Sequence, residues 1–92
     1  MMRTFYILCR DMKDWQIVES LHETIEGARY RAQEIVNGEY AEYFEDEPES
    51  LHLPPDTKWH KPVDFPDGVL YGKAETRYFA VEFILREFEM GE

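Results

Sequence analysis

From Thr4 to Arg10 the chain alternates, with Phe5, Ile7 and Cys9 on one side and Tyr6 and Leu8 on the other, which predicts a strand that meets apolar neighbours on both faces. Asp11-Met12-Lys13-Asp14 breaks the series and predicts a short turn. Trp15, Ile17 and Leu21, alternating with Gln16, Val18 and Ser20, predict a second strand antiparallel to the first, with Glu19 interrupting its apolar series. The period then changes. Ile25, Ala28, Ala32, Ile35 and Val36 recur at helical spacing and form one stripe facing the sheet. Thr24 is placed to cap this helix, because its hydroxyl can accept from a free backbone N–H of the first turn, and Glu26 suits the positive end of the helix dipole. Gly27 costs up to about 1 kcal/mol relative to Ala, so the helix depends on packing. Asn37-Gly38 supplies a stop, since Gly tolerates the left-handed conformation that ends many helices.

Leu51 to Asp67 holds Pro54, Pro55, Pro62 and Pro66, which forbid a continuous helix or a central strand. It is expected to cross the body as a long ordered connection anchored by Leu51, Leu53, Trp59, Val63 and Phe65. Pro66-Asp67-Gly68 is a turn: Pro presets φ, Asp can bond its own backbone and Gly allows positive φ. Val69–Lys73 and Tyr78–Phe88, joined through residues 74–77, are the last two strands. The final one carries Phe79, Val81, Phe83 and Leu85 on one face, and Tyr78, Ala80, Ile84 and Phe88 with Glu82 and Arg86 on the other, so it is central and covered twice. The predicted fold is a single α+β domain spanning residues 1–92: a four-stranded antiparallel sheet in the order 2-1-4-3, built as β-β-α-long loop-β-β, with one principal helix on one face. The second face is left to the proline-rich connection, a second copy of the chain or a partner protein.

Charge changes this picture. Twenty acidic side chains face ten basic ones, a net charge of −10, and six of the acids fall in residues 39–50, where there is no cation. Tyr40, Tyr43 and Phe44 are interleaved with them at i, i+3, i+4 spacing, whereas a disordered acidic tail is poor in aromatics. The expectation is a short helical turn pinned by its rings, with Glu42, Glu45 and Asp46 toward water. The balance argues against direct nucleic-acid binding, which needs clustered Lys and Arg. No apolar run approaches membrane-spanning length, the N-terminus starts a strand pattern rather than a signal peptide, and one cysteine suits a reducing cytoplasm, so a soluble, untargeted chain is expected.

Catalytic chemistry finds little footing. His22-Glu23-Thr24-Ile25-Glu26 starts like the zinc-protease pattern H-E-x-x-H and lacks its second histidine. His52 and His60 flank Asp56 across two prolines without fixed geometry, Cys9 lies in line with Phe5 and Ile7 as a small hydrophobe, and Gly68 and Gly72 make no phosphate-binding loop. Neither metal, cofactor nor enzyme activity is expected. The candidate site is a partner-binding strip of Glu39, Tyr40, Glu42, Tyr43, Phe44, Glu45, Asp46, Glu47 and Glu49, whose carboxylates would meet a basic protein surface. The alternative is a non-catalytic interaction subunit or homo-oligomer that uses the second sheet face, with monomer and dimer both open.

In its size, its charge and the segment Glu39–Glu49, the chain resembles the small acidic proteins that bacteriophages encode against host defence, above all anti-CRISPR proteins. The resemblance includes no motif and transfers no individual residue. It implies stoichiometric binding to a CRISPR effector complex in the host cytoplasm, preferably a multi-subunit surveillance complex with a lysine-lined DNA path, so that target DNA recognition or nuclease recruitment is blocked.

Overall fold

The structure, a computed structural model, describes residues 3–46, 53–77 and 79–91. In chain order the elements are β1 (Arg3–Met12), β2 (Trp15–His22), α1 (Ile25–Tyr43), β3 (Lys58–His60), β4 (Val69–Glu75) and β5 (Ala80–Met90). All strands pair antiparallel in one five-stranded sheet of order β2-β1-β5-β4-β3. The α+β class and the relative order of the four expected strands hold. The fifth strand is the correction, and it lies inside the proline-rich connection: Pro55 and Pro62 leave between them a short stretch able to pair, and Lys58, Trp59 and His60 use it against Lys73, Gly72 and Tyr71.

The first hairpin is tighter than expected. β1 continues to Met12, which pairs with Trp15 across a two-residue turn in which Lys13 takes a positive φ of 26°. Further along, Leu8 pairs with Ser20 and Cys9 with Val18, so Glu19 is an extra residue, a β-bulge. This corrects the expected faces of β2. Ile17, opposite Arg10, points to the helix side, whereas Leu21, opposite Ile7, joins Val18 on the other side. Glu19 interrupts the apolar series because the face changes there.

Thr24 caps α1, its Oγ1 accepting from the Gly27 amide at 3.0 Å. The expected stripe is the one that packs: Ala28, Ala32 and Val36 are buried, and Ile25 and Ile35 partly so, against Leu8, Ala74, Val81, Phe83 and Leu85. Asn37-Gly38 does not end the helix. The stripe extends one further turn to Tyr40, itself buried, and burying an aromatic side chain outweighs the roughly 1 kcal/mol cost of a helical glycine. The separate acidic turn expected after Gly38 is therefore the last part of α1.

On the opposite face, Phe65 of the connection covers Val69 and Ile84 beside Cys9, Ile7 and Tyr71. Leu53 and Val63 do not anchor the connection; both side chains are exposed. Gln33 does so instead: its Nε2 donates to the Pro55 carbonyl at 3.0 Å, and its Oε1 accepts from the Thr57 amide at 2.8 Å and the Thr57 hydroxyl at 3.0 Å. Gly68 takes the positive φ its turn needs, 82°, and its carbonyl accepts from the Glu87 amide at 2.7 Å. Asp67 pairs with Lys61, which holds its carboxyl below the ordinary range. β4 and β5 start and end two residues later than expected at three of their four ends and meet at 76–79, where the Thr76 amide donates to the Phe79 carbonyl at 2.8 Å. Leu51 and Tyr78 lie outside the described residues.

Candidate functional site

The acidic strip is the C-terminal end of α1 and the turn that follows. Tyr40 meets Phe79 edge-on with ring centroids 5.2 Å apart, and Phe44 lies 4.7 Å from Tyr40. Tyr43 reaches both Phe44, at 4.7 Å, and Phe79, at 6.0 Å. Four rings thus tie the strip to the start of β5. Tyr40 is buried and Phe44 half-buried, whereas Tyr43 keeps 57% of its surface exposed. Tyr40 and Phe44 position the strip, and Tyr43 is the ring a partner can touch. Phe44 closes the helix, its amide donating to the Tyr40 carbonyl at 3.1 Å, and the Glu45 amide follows to Glu42 at 3.4 Å.

The carboxylates divide into two groups. Glu39 turns back onto the body, where Arg10 Nη1 lies 2.6 Å from its Oε1 on a half-buried pair. Glu42, Glu45 and Asp46 are exposed as expected. Glu47 and Glu49 lie outside the described residues. The last turn of α1 contains no basic residue. Carboxylates at the negative end of a helix dipole each cost the fold about 0.3–1 kcal/mol at a surface position. Sequence spacing brought the rings to light, but the Arg10–Glu39 pair joins residues 29 positions apart and left no local signal.

Beside this end, Glu34 and Glu42 of the helix and Glu19 of the bulge line an open groove of about 280 Å³ together with Arg31 and the Arg10–Glu39 pair. His52 lies outside the described residues, and the other candidate groups, His22, His60 and Cys9, together with Tyr71, have structural surroundings. His22 ends β2 with Nε2 2.6 Å from Ser20 Oγ, so the H-E-x-x stretch straddles a strand end and a cap. His60 packs edge-on against Tyr71 at 5.2 Å. Burial pushes the Cys9 thiol up, with Arg86 opposing and Glu19 adding to the effect, which is the reverse of nucleophile activation. Burial, a hydrogen bond to the Glu82 carboxylate and further negative charge raise the Tyr71 phenol above its ordinary range. Among the described residues no group of three or more His, Cys, Asp and Glu is arranged to hold a metal ion, and no helix is long and apolar enough to cross a membrane.

Compared with known protein families, curated proteins and solved structures, the chain matches none.

Proposed function

We propose that the protein is a stoichiometric, non-catalytic inhibitor that binds a basic, nucleic-acid-binding surface of a host defence complex, of the CRISPR surveillance class, and denies it DNA. The observation that carries this reading is the end of α1: Glu42, Glu45 and Asp46 are exposed with no cation in the last turn, on an element fixed by Tyr40, Phe44 and Phe79. A fold gains nothing from acids at that pole of a helix, whereas lysines and arginines of a partner gain charge-assisted bonds and fast, steered association. Tyr43, exposed beside the acids, supplies an aromatic contact of the kind that dominates interface energetics.

The test is affinity capture from the lysate of a bacterial host with the wild-type chain and with Glu42→Lys/Glu45→Lys/Asp46→Lys. The reading expects a nucleic-acid-binding complex to co-elute with the first and not with the second, and to be released by salt. Equal recovery by both chains rejects it.

A further inference from the structure

The two edges of the sheet are finished differently. β3 is three residues long and bounded by prolines, a protected edge. β2 at the other edge is eight residues long, contains no proline, lysine or arginine, and exposes Trp15, Ile17, Val18 and Leu21, with Val18 at 69% and Leu21 at 57%. Its outer row of backbone groups has no strand beside it among the described residues. The bulge at Glu19 gives the two sides of this edge different chemistry. Val18 and Leu21 make the side away from the helix apolar, while the side toward the helix carries Trp15 and Ile17 at one end and, at Glu19, opens onto a groove where Glu19, Glu34 and Glu42 outnumber Arg31 and where Arg10 is already engaged by Glu39.

We propose that β2 is a docking edge for an extended segment of a partner protein in which Lys or Arg alternates with apolar residues. Such a segment adds antiparallel to β2 as a sixth strand. Its side chains alternate between faces, so those on the helix side near the bulge project their cations toward Glu19, Glu34 and Glu42, with their stems along Ile17 and Trp15, and those between lie beside Val18 and Leu21. A second copy of this chain is the poorer occupant. Antiparallel pairing of β2 with itself sets both helices on the same face, with the acidic walls of Glu34 and Glu42 facing one another across the seam between two chains of charge −10.

The edge shares Glu42 with the acidic helix end, so the experiment varies Glu19 and Glu34, which belong to the edge alone, against Glu45 and Asp46, which belong to the helix end alone, and fails independently of that reading. A labelled peptide of alternating Lys and Val about eight residues long, matched to the strand, is titrated into the full chain and followed by fluorescence polarisation and amide NMR shifts. Saturable binding is expected with shifts concentrated at Trp15–His22. N-methylating alternate peptide amides should weaken binding by about tenfold or more, as loss of ladder hydrogen bonds demands. Glu19→Gln/Glu34→Gln should weaken it several-fold, and Glu45→Lys/Asp46→Lys should leave it unchanged. The proposal is overturned by absence of binding, by binding indifferent to N-methylation or mapped only to the helix end, or by a chain that already dimerises with its β2 amides protected from exchange.

Discussion

Tyr40 and Phe79 meet edge to face, 5.2 Å between centroids and 88° between ring planes, and this contact joins the acidic end of α1 to the start of β5. Tyr40→Ala empties a buried site and is expected to cost about 3–5 kcal/mol in denaturant unfolding. Part of that loss belongs to the pair: a double-mutant cycle with Phe79→Ala should give a coupling of about 0.5–1.5 kcal/mol. A coupling indistinguishable from zero contradicts the role of this contact as the anchor.

The acids beyond that anchor oppose the helix dipole. Glu42→Lys is therefore expected to raise stability by about 0.3–1 kcal/mol at low salt, with the gain shrinking as salt is added. Stability and partner binding should move in opposite directions at this residue. A Glu42→Lys chain less stable than wild type at low salt counts against the unfavourable placement of the strip.

Trp59 lies across Gly72, its partner in the β3–β4 register, so closely that a Cβ on residue 72 would come within 2.7 Å of the indole ring. The indole also stacks on Phe83 at 6.2 Å and carries Arg29 over its face at 5.8 Å. Gly72→Ala must displace it, with an expected cost of about 1–3 kcal/mol and a shift of tryptophan fluorescence. An unperturbed Gly72→Ala variant would show that β3 is not held by this packing.

The raised Tyr71 phenol links stability to alkaline pH. Its folded-state proton is held more tightly than the unfolded chain holds it, so its contribution is complete below the ordinary value of 10.0 and is lost as pH rises above that. Tyr71→Phe removes both the proton and the bond to Glu82. Wild type should therefore lose stability relative to Tyr71→Phe as urea unfolding is repeated above about pH 10, and parallel pH profiles would argue against a perturbed phenol.

Much of the fold was legible in periodicity. The stripe from Ile25 to Val36, the Thr24 cap and the two-faced β1 and β5 follow from spacing alone, because those positions pack against layers directly above and below them. What was hidden depends on contacts distant in sequence. Gly38 carries a local stop signal that the burial of Tyr40 against Phe79 overrides. Trp59 makes a strand among prolines only because a glycine stands opposite it. Of the candidate strip, the spacing of Tyr40, Tyr43 and Phe44 revealed the ring anchor, whereas the pairing of Glu39 with Arg10 required the sheet to be in place.

The central claim, that Glu42, Glu45 and Asp46 engage a basic DNA-binding surface, is tested most directly by fluorescence anisotropy of a target duplex bound to a purified multi-subunit CRISPR surveillance complex. Wild-type chain should release the DNA with an endpoint at a stoichiometric ratio, and Glu42→Lys/Glu45→Lys/Asp46→Lys, folded and at least as stable, should release none at the same concentrations. Release by the triple variant equal to that by wild type, or no release by wild type, would contradict the account.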